Sequence, residues 1–152
     1  MKKTILIILA VCMLASVASG CSTPTTSRSY DMPELSQALL DAGVFSDILS
    51  PMPIETGVMI YGFNAEDIVD CSLYFSTRAT AEEIGMFKCT DAAAAQRVLE
   101  KCQARAEEQK ETYVSYAPGE PPKIDDGYIK ADGIYVFYII GADGDGVREV
   151  MK

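Results

Sequence analysis

Residues 128–140 read YIKADGIYVFYII, and this stretch decides the fold. Asp132-Gly133 stands between two runs rich in β-branched and aromatic residues, the composition favoured for a two-residue hairpin turn. The second run, Ile134 to Ile140, is apolar at both alternating sets of positions. A strand with one wet face alternates; a strand covered on both faces does not. A hairpin is therefore expected here, with Ile134–Ile140 as a central strand buried on both sides.

Upstream, residues 69–76 (VDCSLYFS) and 82–89 (EEIGMFKC) flank a turn-like segment, Thr77 to Ala81. They predict a second hairpin. Between the hairpins, Asp91 to Tyr116 carries Ala95, Leu99, Cys102, Ala106, Tyr113 and Tyr116 on one stripe, with Glu100, Lys101, Glu107, Glu108 and Glu111 elsewhere. That spacing predicts an amphipathic helix lying on the sheet. Pro118 and Pro121-Pro122 are expected to end it.

The segment DMPELSQALLDAG has Asp31 as a helix cap, Pro33 in the first turn and Gly43 as a stop, with Leu35, Ala38, Leu39 and Ala42 on one face. A shorter helix is expected over Ile54 to Tyr61, then a turn at Asn64 to Asp67. Beyond the second hairpin, ADGDGVREVMK suggests a short C-terminal helix. The expected fold class is α+β: a mainly antiparallel four-stranded sheet of two hairpins, a long crossover helix, and N- and C-terminal helices. Residues 31–152 form one domain of ordinary size.

The first 30 residues read differently. Lys2 and Lys3 precede an almost wholly apolar run, Ile5 to Val17. That run falls short of the about 20 apolar residues a membrane span needs. It has the form of a secretory signal. Ala18-Ser19-Gly20-Cys21 resembles the bacterial lipobox, with Ala18 where Leu is usual. The expectation is a signal peptide over 1–20, a diacylglyceryl thioether on Cys21 as the mature N-terminus, and a linker over 21–30. Two acyl chains give stable anchoring where one is marginal. The Ser/Thr/Pro-rich linker lacks the apolar residues that would offset ordering entropy. The location implied is the outer face of the bacterial cell membrane.

The chain has 13 basic and 22 acidic residues, net −9. Loss of Lys2 and Lys3 would leave a net charge of −11. No basic cluster offsets it, so nucleic acid is set aside as a partner.

Candidate chemistry is sparse. The chain contains no histidine, which removes Ser-His-Asp triads, Cys-His pairs and most zinc sites. Asp143-x-Asp145-Gly146 opens like a calcium loop, but position 12 of such a loop would fall past Lys152. A turn with a helix cap is the better reading. Glu82-Glu83 is a carboxylate pair, yet strand neighbours point to opposite faces. One is expected to face solvent and the other the sheet edge. No catalytic residue, metal ligand or cofactor site is assigned.

Three further cysteines, Cys71, Cys89 and Cys102, lie in the domain. If the first hairpin pairs Cys71 with Cys89, and Leu73 with Phe87, all three approach one face. Three packed free thiols are preferred to a disulfide, because buried cysteine ordinarily behaves as a small hydrophobe. A reactive thiol would need exposure beside a cation.

The whole chain resembles small lipoproteins of Gram-positive bacteria grouped as a domain of unknown function. Carrying the resemblance are Tyr61-Gly62-Phe63, Ala79-Thr80-Ala81-Glu82-Glu83-Ile84 with Phe87-Lys88, Gln109-Lys110, and Tyr116-x-Pro118. Lys123, Asp126-Gly127 and Gly133-x-Tyr135-Val136 extend it. The resemblance implies lipid anchoring and this α+β architecture, and supplies no catalytic residue. The expected function is a membrane-anchored, non-enzymatic binding or accessory module, with an envelope protein or polymer as partner. The alternative is an envelope enzyme using carboxylates or tyrosine. A deep pocket with converging carboxylates would favour the enzyme; a flat aromatic patch would favour binding.

Overall fold

The computed structural model describes residues 28–152. Its helices are α1 (Met32–Asp41), α2 (Ile54–Tyr61), α3 (Ala92–Tyr113), α4 (Glu120–Asp125) and α5 (Gly144–Val150). Its strands are β1 (Ser50–Pro51), β2 (Ile68–Phe75), β3 (Glu83–Cys89), β4 (Tyr128–Asp132) and β5 (Tyr135–Ile140). A single 3-10 turn covers Ala65–Asp67. No helix among the described residues is long and apolar enough to cross a membrane. The signal segment and Cys21 lie outside the described residues.

The sheet is antiparallel throughout, in the order β1-β2-β3-β5-β4. It has five strands where four were expected. The extra strand is only Ser50–Pro51, paired with Phe75 and Tyr74 at the sheet edge. Two residues carry no alternation to read, and proline is tolerated only where no ladder donor is needed.

β5 lies between β3 and β4, and every residue of it is buried. Its residues divide between two cores. Val136, Tyr138 and Ile140 pack with Val98, Cys102 and Ala106 of α3 and with Tyr61 of α2. Tyr135, Phe137 and Ile139 pack with Met32 and Leu39 of α1 and with Val147 of α5. Each buried apolar side chain of this size contributes about 1.5–3 kcal/mol. The doubly apolar pattern thus corresponds to helices on both faces of one sheet.

Local chemistry places most elements. The Asp31 carboxylate accepts from the Glu34 N–H, Asp91 from Ala94, and Asp143 from Gly146, each capping a helix start. Gly62 closes α2 at φ 66°, where a side chain would be strained.

Several expectations are corrected. The β4–β5 turn is Gly133-Ile134, one residue later, because Asp132 already pairs with Tyr135. Gly133 takes φ 61°, and positive φ at the first central position is what a II′ turn demands. The first hairpin pairs Cys71 with Phe87 and Leu73 with Gly85, two residues from the expected register. A shift of two preserves the face, so the same side chains still point inward. In α1 the buried positions are Met32, Ser36 and Leu39, while Ala38 and Ala42 are exposed. The Ser36 hydroxyl meets that of Ser72 at 2.7 Å inside the fold, so a polar residue occupies the inner face. α3 ends at Tyr113, leaving Tyr116 60% exposed beyond it. Pro121-Pro122 then open a helix, α4, that was not expected. Proline fits a first helical turn, whose N–H groups lack partners anyway.

Packing begins upstream of Asp31. The Tyr30 ring meets Tyr135 and Phe137 edge-on, with centroids 5.1 and 4.9 Å away. Its hydroxyl donates to Asp132. Burial, reinforced by Asp132, pushes that hydroxyl's pKa up to about 12.

Candidate functional site

A cleft of about 600 Å³ opens between α2 and α3, over the ends of β2 and β3. Met52, Met59 and Ile60 form one wall, and Arg105, Gln109 and Tyr113 the other. The segment joining β2 to β3 closes one end, and Phe75 and Glu83 line the base.

Glu83 opens β3 and is only 2% exposed. Its Oε1 accepts from the Tyr61 hydroxyl and, at 3.2 Å, from Arg105 Nε. Its Oε2 accepts from Arg105 Nη2 at 2.6 Å and Gln109 Nε2 at 3.4 Å. The Gln109 side-chain carbonyl in turn accepts from Tyr138. Arg105 and Gln109 come three and seven residues after Cys102 and so share its buried helical face.

The guanidinium of Arg105 sits 4.8 Å from the Tyr61 ring centroid and 5.7 Å from that of Phe75. The two-donor fork to Glu83 orients the guanidinium, and the rings add cation–π contact. Gly85 leaves room for the arrangement, since a Cβ there would lie 2.6 Å from the Tyr61 hydroxyl oxygen. Burial works against the charge on Arg105, but Glu83 outweighs it and holds the guanidinium above its ordinary pKa. Burial also pushes up the phenols of Tyr61 and Tyr138, keeping both neutral.

A carboxylate has about four lone-pair positions, and Glu83 meets four donors. None is left to take a proton from a substrate, so Glu83 is poorly placed as a general base. Its role in the geometry is to hold Arg105. Two of the five N–H donors of Arg105 go to Glu83. Nη1 meets no acceptor among the described residues, and no buried side-chain nitrogen or oxygen there lacks a partner. Nη1 therefore reaches water, and Arg105 lines the cleft.

Glu82 takes a separate set of partners. Lys123 Nζ donates to its Oε1 at 2.7 Å, and the Ser46 hydroxyl donates to the same oxygen. The Ser46 and Asp47 N–H groups donate to Oε2 at 2.8 and 3.0 Å. Burial would raise its pKa, but Lys123, Ser46 and the backbone donors prevail and hold it below the ordinary carboxylate range. Glu82 and Glu83 diverge as strand neighbours do. The expectation that one faces solvent and the other the sheet edge is wrong, for both are buried. Each has found a cation and a full set of donors, which is what makes a buried charge tolerable.

The same contacts brace the β2–β3 connection. Asp47 Oδ2 accepts from the Thr77 N–H and hydroxyl at 3.1 and 2.7 Å. Glu120 accepts from the Ala81 N–H at 2.9 Å, and Tyr113 donates to the Thr80 carbonyl at 2.6 Å. Arg78, at φ 71°, takes the left-handed conformation between these ties. One end of the cleft is thus fixed in shape.

Cys89 and Cys102 are buried, Cys71 is half-buried, and all three are free. Burial pushes the thiols of Cys71 and Cys89 up to about 11. Asp143 serves α5 as its cap, and Asp145 pairs with Arg148 at 2.9 Å. Arg105 was not singled out from sequence, and Gln109 entered only through the family resemblance. The available signal was two long polar side chains on the stripe that carries Cys102.

A family model described as a domain of unknown function (DUF4358) matches residues 58–141. That span holds Met59, Tyr61, Glu83, Arg105 and Gln109. No curated protein and no solved structure matches the chain.

Proposed function

The chain belongs to the DUF4358 family, and we propose that it is a lipid-anchored binding module at the outer face of the bacterial cell membrane. The anchor is the diacylglyceryl thioether on Cys21, and the partner an envelope protein or polymer that enters the α2–α3 cleft. One observation carries the reading of the cleft: Glu83 spends all its acceptor positions on Arg105, Tyr61 and Gln109. Catalysis by a carboxylate would require at least one position left for substrate.

The placement of the chain's two ends of interest supports display. Tyr30, where the linker meets the domain, packs on the α1–α5 side of the sheet. The cleft belongs to the α2–α3 side. A tether leaving from one face presents the other face to partners. Ser22 to Ser27 span at most about 20 Å when extended, so the domain stays near the membrane with its cleft accessible.

A photo-crosslinking residue placed at Met59 tests the reading in membranes, with Gln37 on α1 as the opposite-face control. Adducts are expected from position 59 and not from 37. Equal yields from both positions, or none from 59, would overturn it.

A further inference from the structure

We infer that the cleft recognises a neutral ligand through a carbonyl oxygen hydrogen-bonded to Arg105 Nη1, with the ligand's apolar body against Met52, Met59 and Ile60. This rests on the binding reading above and adds the chemistry of the ligand.

Donor arithmetic comes first. Four of the wall hydroxyls are committed: Thr77 and Thr80 donate to Asp47, Ser76 to the Thr80 carbonyl, and Thr112 to the Glu108 carbonyl. Thr56, Tyr116 and the exposed Arg78 also line the cleft. Arg105 Nη1 is different. Its guanidinium belongs to a side chain 16% exposed, oriented by the fork to Glu83. A ligand covering it without an acceptor would strand a donor in a dry site and lose affinity. A ligand carrying an acceptor there meets a donor already oriented, which spares ordering entropy.

Charge then selects among acceptors. The charged groups lining the cleft are Arg78, Glu82, Glu83, Arg105 and Glu108. Glu82 is neutralised by Lys123 and Glu83 by Arg105, leaving Arg78 against Glu108. No net positive charge awaits an anion, and the chain as a whole carries −9. A second carboxylate on Arg105 would lie close behind the first, in a partly desolvated place where like charges repel strongly. A carbonyl uses the same N–H without that repulsion. The thioethers of Met52 and Met59 suit an adaptable apolar contact, and Met59 is 75% exposed at the rim.

The test uses the mature lipidated chain in phospholipid nanodiscs and ligand-observed NMR titration, with empty nanodiscs as control. The probes are N-acetyl-leucine methylamide and N-acetyl-leucine, which share a body and differ in the terminal charge. The methylamide is expected to bind at least 10-fold more tightly than the acid at neutral pH. Arg105→Lys, which keeps a charge but loses Nη1, should weaken methylamide binding at least 10-fold. Met59→Asp, at an exposed position that folding does not depend on, should do the same if Arg105→Lys proves unstable. Equal or tighter binding of the acid, unchanged binding in the variants, or no binding of either probe overturns the inference. Adducts at position 59 in the crosslinking experiment would still uphold the binding module with a different ligand. Absence of those adducts, with methylamide bound as expected, would instead remove the envelope partner.

Discussion

The Tyr61 hydroxyl rests against Gly85, so that a Cβ on Gly85 would stand 2.6 Å from its oxygen. Gly85→Ala should therefore push Tyr61 off Glu83 and destabilise the domain by about 1–3 kcal/mol, the usual cost of overpacking. Tyr61→Phe removes the clashing oxygen. Combined with Gly85→Ala it should be less destabilising than the two single changes summed, as neighbours in contact require. Urea denaturation of the four proteins decides, and strict additivity would refute the contact.

Glu83 and Arg105 should behave as a buried pair. Glu83→Gln leaves the guanidinium without its counter-charge and should cost about 3–5 kcal/mol. Adding Arg105→Met removes the orphaned charge and should restore a large part of that loss. If the double variant is as unstable as the single, the pair is not the cause.

Stability should fall in acid, with Glu82 as one source. Its folded-state pKa lies below the ordinary 4.5. Its contribution is therefore complete above that value and disappears as pH drops through the folded one. Asp47, held down first by the Thr77 hydroxyl, and Asp67, held down first by Arg97, act with the same sign. Burial pushes Glu83 the opposite way. Its contribution is fullest at low pH and lessens as pH rises through its folded value. The Glu82 share is isolated by comparing wild type with Glu82→Gln. The difference in unfolding free energy should be constant from pH 7 to about 5 and shrink below it. A difference that grows toward low pH would contradict the assignment.

Cys89 and Cys102 should resist alkylation in the native protein and Cys71 should react slowly, since burial holds Cys71 and Cys89 up near 11. After unfolding without reductant, the mature lipidated chain should take one label on each of these three residues. A single label would reveal a disulfide.

Cys21→Ser should abolish lipid attachment and leave the precursor uncleaved. Intact mass of the wild-type protein is expected to show loss of residues 1–20 and a diacylglyceryl group on Cys21. A mature mass without lipid would end the anchored reading.

Much of the fold was legible because its signals are local. Asp31, Asp91 and Asp143 cap helices through N–H groups three residues away. Gly62 stops α2, and the unbroken apolar run of β5 announced cover on both faces. Such signals act within one turn of chain, which a sequence displays directly. The Pro51 edge pairing and the helix begun by Pro121-Pro122 were hidden, because proline reads as a breaker unless its neighbours in space are known.

The candidate site was not legible in this way. Glu83 meets Tyr61 and Arg105 across 22 residues in each direction, and Glu82 meets Lys123 across 41. A carboxylate next to another in sequence looks solvent-bound until distant cations are brought to it. The register of β2 on β3 and the rotation of α1 about its axis depend likewise on which inner faces fit together. By itself, then, the sequence determined the capped helices, the two hairpins, the doubly covered strand and the signal-like start, since propensity and periodicity are short-range. Tertiary structure alone decided that Glu82 and Glu83 are buried apart, that Arg105 is held by Glu83 beside Tyr61 and Phe75, and that it lines a cleft. Those outcomes arise from packing and charge pairing between segments remote in the chain.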